Sequence, residues 1–158
     1  MKLEILNLIV TFVLAVAYLA CSMKLLIIYF EKISRPVSHA SAILYISSII
    51  GFGIVFYNIT DVASNAFQFY YAKNQFSKGL YYWFIFSALA LITSFISFLL
   101  SFYLIKFTTK QNENAELARN NYHIAGIHSA VFIIICLILS TPVANIASTM
   151  VDFSQFPN

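Results

Sequence analysis

Hydrophobic positions in this chain do not recur with a helical or strand period. They run on, interrupted by small and hydroxyl residues and by very few charges. Four stretches contain no Asp, Glu, Lys or Arg: Ile5 to Met23, Pro36 to Thr60, Gly79 to Ile105 and Asn120 to Val151. Each reaches or exceeds the roughly 18 apolar residues that a bilayer crossing requires. Strand-like alternation is absent, and a backbone in lipid must pair its polar groups internally, so the stretches predict helices rather than barrel strands. The expected fold class is an all-α integral membrane protein with four transmembrane helices in a single domain, residues 1–158.

Within these runs the small residues are ordered. Ser87, Ala90, Ser94, Ser97 and Ser101 alternate spacings of three and four, which predicts a small-residue seam burying the third helix against a neighbour at short distance. The alternative is that the serines bond back to carbonyls of their own helix. Ser47 and Gly51, four apart, predict a second close approach. Thr11, Ala15 and Ser22 place small residues along the first helix.

Polar residues predict where helices stop. The second apolar run continues past Asp61 to Tyr71, more than one crossing, and Asn58, Thr60 and Asp61 mark the expected break. In the fourth run Ser140, Thr141 and Pro142 read as a cap followed by a proline at the start of a new helix. Short interfacial pieces are then expected over Val62 to Tyr71 and Val143 to Phe153. The aromatic residues Phe67, Phe69, Tyr70 and Tyr71, with Tyr81, Tyr82 and Trp83 across a loop holding Lys73 and Lys78, mark a membrane–water interface. Lys106 to Arg119 is hydrophilic, and predicts either a surface helix or an extension of the fourth span. Glu113 and Glu116 can pair there with Lys110 and Arg119.

The chain also resembles itself. At an offset of 84 residues, His39 to Phe69 aligns without a gap on His123 to Phe153. His39/His123, Ala63/Ala147, Ser64/Ser148 and Phe69/Phe153 are identical, and Asp61 faces Asn145. This predicts two tandem, like-oriented two-helix repeats, about 1–78 and 79–158, related by a twofold axis along the membrane normal.

Composition agrees with lipid as the solvent: 61% of residues are hydrophobic, 9% are charged and the mean hydropathy is +0.83. A soluble domain is about half apolar and a quarter charged. Glu4 spoils the positive start of a signal peptide and apolar sequence continues past Met23, so the N-terminal segment reads as a first span. Lys24 falls near the inner end of that span and can snorkel to the headgroups. Lys32, Arg35, Lys106, Lys110 and Arg119 lie in loops one and three, against Lys2, Lys73 and Lys78 on the other side. The positive-inside rule then places loops one and three in the cytoplasm and both termini outside.

Little of the sequence carries chemistry. Cys21 and Cys136 lack CxxC spacing and read as buried inert thiols. Matched His39 and His123 are the only haem candidates, a ligand count too thin for a metal or cofactor expectation. His128, one turn deeper, reads as a hydrogen-bonded interface residue. Asp61 and Asn145, with Asn58 and Thr141, form a candidate polar or ion site at the expected breaks, because ionisable residues in lipid are costly; about 20 residues from His39, Asp61 also falls near the outer boundary, where it reads instead as a solvated cap of the restarted helix. There is no phosphate loop, HExxH, DxD or paired carboxylate, so no catalytic residues, enzymatic activity or nucleic-acid partner are expected.

Glu116, Asn121, Ala125 and Gly126, followed by the apolar run to Leu139, resemble the signature of a bacterial inner-membrane family designated domain of unknown function 350. In the first half Ala40, Ala42, Ser47 and Gly51 fit its small-residue pattern, but Val37 stands where Asn is expected. The resemblance implies a bacterial inner-membrane location and a duplicated two-helix plan, and no activity. The lead expectation is a non-enzymatic homo-oligomer or subunit of a membrane assembly. The alternatives are a small oligomeric channel or transporter using the breaks, and a b-type haem electron carrier.

Overall fold

The computed structural model describes residues 2–33, 38–109 and 113–151. Arg35, Pro36, Val37, Lys110 and Phe153 lie outside the described residues, and with them the loop-one details, one predicted ion-pair partner and the Phe69/Phe153 match. The described chain is helical: α1 is Lys2–Ile33, α2 His39–Ala72, α3 Phe76–Thr109, α4 Glu113–Ala118 and α5 Tyr122–Thr149. All four long helices are apolar enough to cross a membrane. This is an all-α, four-span membrane protein. At about 1.5 Å per residue, the 34-residue α2 and α3 are roughly 51 Å long and overrun a hydrocarbon core of about 30 Å.

Neither predicted break occurs. α2 runs through Asn58–Asp61, and α5 runs through Pro142 to Thr149. The reason is local. Asn58 donates through Nδ2 to the Ile54 carbonyl (3.0 Å) and Thr60 through Oγ1 to the Phe56 carbonyl (2.9 Å), so these polar groups are satisfied without ending the helix. Ser140 likewise donates to the Leu137 carbonyl at 3.0 Å rather than capping a new start. Proline inside a helix removes one backbone donor, a loss that membrane helices tolerate.

α2 is the centre of the bundle. It packs most extensively on α5 and α3 and also carries α1, whereas α1 touches α3 only lightly and makes no substantial contact with α5. The stripe that α1 buries is narrow: Leu14, Tyr18, Ser22, Leu26 and Phe30. That four-residue spacing is one ridge lying in a groove of α2. Cys21 stands off the ridge and is exposed, unlike the buried Cys136, so only one of the two thiols is enclosed as the sequence reading expected.

At the offset of 84 residues, α2 and α5 share several buried positions, far more than α1 and α3 do. Ala40/Ile124, Ser41/Ala125, Leu44/His128, Ser48/Phe132, Phe52/Cys136, Phe56/Ser140 and Ala63/Ala147 are buried in both helices of each pair. Packing is not equivalent, because the extensive α2–α3 interface has no counterpart between α1 and α5.

The α2–α5 interface shows why small residues recur. Ser47 meets Ser129 across it at 2.6 Å. One turn on, a Cβ built at Gly51 would overlap the Phe132 ring and lie 3.1 Å from the Cys136 sulfur. The predicted Ser47/Gly51 approach is therefore real, and Gly51 is its tightest point. Gly53, with nothing within 4 Å of its own Cβ position, is the internal control. We expect Gly51→Ala to destabilise the bundle by about 1–3 kcal/mol, the usual cost of overpacking, and Gly53→Ala to be neutral or slightly stabilising. Reversible unfolding in mixed micelles, followed by circular dichroism, measures both.

Candidate functional site

Buried polar side chains occur on all four long helices, and α3 carries the longest row of them. Ala90, Ser94, Ser97 and Ser101 are all buried along it, as the spacing predicts, and Ser87 at its start is half-buried. The three buried serine hydroxyls also bond within their own helix: Ser94 to the Ala90 carbonyl (2.8 Å), Ser97 to Thr93 (2.8 Å) and Ser101 to Phe98 (2.7 Å). The two readings of the seam are both true. Back-bonding hides the hydroxyl hydrogen and leaves oxygen lone pairs to face the next helix.

Two rungs use those lone pairs. The one hydroxyl hydrogen of Tyr18 on α1 is shared between the Phe52 carbonyl of α2 and Ser94 Oγ of α3, each 3.1 Å away, so one phenol ties three helices. Its ring stacks on Phe56 with centroids 4.3 Å apart. Ser22, one turn along α1, donates to the Tyr18 carbonyl at 2.8 Å. The other rung is Ser101 with His128 of α5, Oγ to Nε2 at 2.7 Å. Phe102 meets the imidazole edge to face at 3.8 Å, and Phe98 stacks on it at 6.2 Å.

A serine beside a histidine nitrogen is the geometry of an activated nucleophile. Here both residues are 0% exposed, and the phenylalanines close the pair off. The pair lies inside the bundle, where it forms a hydrogen bond between α3 and α5. His128 is thus the interface residue that the sequence suggests. That it meets Ser101 was not read, although both lie within two turns of helix ends on the same side of the membrane.

The residues singled out at the supposed breaks behave differently. Asp61, Thr141 and Asn145 are exposed, and their side chains enter no hydrogen bond or ion pair among the described residues. The structure does not assemble them with half-buried Asn58 into an enclosed site. Nearby, Asn7 of α1 donates to Ser64 of α2 at 2.6 Å, a contact that sequence reasoning missed.

His39 and His123 are both exposed in the first turns of α2 and α5. Among the described residues no three His, Cys, Asp or Glu side chains come together as a metal-binding group. What joins these helix starts is a set of caps. Ser38 caps α2, accepting from the Ser41 amide (3.1 Å) and donating to the Leu117 carbonyl of α4 (2.6 Å). Asn120, in the left-handed region at φ 63°, accepts from the Ala40 amide at 3.0 Å. Asn121 caps α5 and donates to Glu116 at 2.9 Å, while Glu116 pairs with Arg119 at 3.2 Å. Of the hydrophilic segment, Lys106 to Thr109 end α3, and Glu113–Ala118 is a separate short helix pinned by buried Leu117.

At the opposite end the aromatic residues divide. Tyr70 and Tyr82 stack at 5.0 Å, with Lys73 over Phe69 and Lys78 over Tyr70. Trp83 and Phe67, expected in the same belt, are instead fully buried between helices.

No known protein family, curated protein or solved structure matches the chain. The resemblance over Glu116 to Ala130 rests on those residues alone, and the structure gives Glu116 and Asn121 a capping role.

Interhelical hydrogen bonds in membranes contribute about 0.6 kcal/mol on average and up to about 1.7. A double-mutant cycle of Tyr18→Phe with Ser94→Ala is expected to give a coupling energy in that range, measured by unfolding in mixed micelles. A coupling near zero means that the phenol adds packing only.

Proposed function

We propose that this protein is a non-enzymatic membrane subunit that associates, as a homo-oligomer or with other membrane proteins, through the exposed outer half of α5. The observation that carries this reading is a polar strip on a lipid-facing surface. Ile138, Thr141, Pro142, Asn145 and Ile146 are all exposed, and spacings of three, four, seven and eight put them on one helix face. Pro142 offers no amide to the carbonyl four residues earlier. The strip thus presents unbonded polar groups where lipid provides no partners, and neighbouring helices are what membrane proteins use to satisfy them. On α2, Asp61 occupies the position equivalent to Asn145 and is exposed in the same way.

The buried polar groups support the same conclusion from the other side. Tyr18, Ser94, Ser101 and His128 are engaged in holding helices together, which leaves the association surface as the part of the molecule free to work. The continuity of α2 and α5 removes the broken helices on which the transport reading depended. The charge bias favours placing the α4 side in the cytoplasm and both termini outside, and the resemblance over Glu116 to Ala130 is what suggests a bacterial inner membrane.

The test is cross-linking in native membranes. In a Cys21→Ser background, Thr141→Cys and Asn145→Cys should each form adducts at twice the monomer mass or heavier with a short bismaleimide. Cysteine at exposed Leu8 on α1 should cross-link far less. Monomer alone at both α5 positions overturns the proposal.

A further inference from the structure

The light contact between α1 and α3 leaves a groove on the bundle surface of about 570 Å³. That is within the ~300–1,000 Å³ of small-molecule sites. Small side chains open it: Ala17 on α1 and Ala88 on α3, with Leu14, Leu91 and Ile92 as walls. The lining is almost wholly apolar, and Lys24 contributes its one cation. Lys24 is exposed, and among the described residues no carboxylate pairs with it. Inside, the Ser87 hydroxyl oxygen is buried without a hydrogen-bond partner.

We infer that this groove holds one anionic phospholipid of the bilayer, its acyl chain along Ala17 and Ala88 and its phosphate on Lys24. The chemistry selects this occupant over a protein helix. α1 is 32 residues long, roughly 48 Å, and exceeds the hydrocarbon core by well over a turn at each end. Lys24 stands nine residues before its end, and its four-carbon stem brings the ammonium to headgroup level. An apolar slot ending in an unpaired cation matches a molecule with an apolar tail and an anionic head. A packed apolar helix would fill the slot but supply no anion for that charge. Because the groove lies on α1 and α3, this inference is independent of the association surface on α5.

The experiment compares vesicles of phosphatidylglycerol with phosphatidylcholine as the source of bound lipid. Protein reconstituted in an equal mixture, re-extracted in mild detergent and weighed by native mass spectrometry, is expected to retain one phosphatidylglycerol in preference. Lys24→Gln should cut that preference about fivefold, the contribution of one lysine near an anionic surface. Ala88→Phe should fill the groove and remove the retained lipid while leaving the helical circular dichroism unchanged. An unaltered preference in Lys24→Gln overturns the proposal, whether or not Ala88→Phe folds. So does a wild-type particle without a retained lipid, or one of doubled mass that Ala88→Phe returns to monomer.

Discussion

Apolar side chains gain nothing by turning from lipid to protein, since both are hydrocarbon. What holds these four helices together has to be closeness of fit and hydrogen bonding. The whole architecture follows from that constraint. Gly51 lets the Phe132 ring lie against the α2 backbone, Ser47 and Ser129 meet one turn away, and the Tyr18 phenol joins three helices at one point. Contact is extensive between α2 and α5, where Gly51, Ser47 and Ser129 meet, and between α2 and α3, where Gly79 lies against the Phe67 backbone. Between α1 and α3, which meet at Tyr18 and Ser94, contact is light and a groove opens.

The same constraint explains which parts of the structure were legible in the sequence. The number of spans and the small-residue face of α3 were plain, because length, apolarity and spacing are local properties. Ser47 and Gly51 were equally plain. The continuity of α2 and α5 was not. Asn58, Thr60, Ser140 and Pro142 carry the signals that end helices in water, where a freed backbone group finds solvent. In lipid it does not, so the Asn58, Thr60 and Ser140 side chains turn back onto carbonyls of the preceding turn, and the helices continue through them and through Pro142.

The candidate site was less legible than the fold. Ser101 and His128 were each recognised, but that they meet depends on the relative register of α3 and α5, which no local pattern encodes. Cys21 was misplaced for a similar reason. A thiol in a span is enclosed only if its helix is wrapped on that side, and α1 buries a single ridge. The repeat stands between these cases. Burial recurs at matched positions of α2 and α5, while the partners that bury them differ.

The start of α2 depends on residues far along the chain. The Ser38 hydroxyl donates to the Leu117 carbonyl, 79 positions later, and the Ala40 amide to Asn120, 80 positions later. Synthesis runs from the N-terminus, so α1 and α2 exist as a hairpin before either acceptor has been made. Until then the first turn of α2 has water in place of these two partners, and remains open at the membrane surface. The second half of the chain therefore finishes the first: the head of α2 gains these two partners only once α4 has emerged and folded back over it.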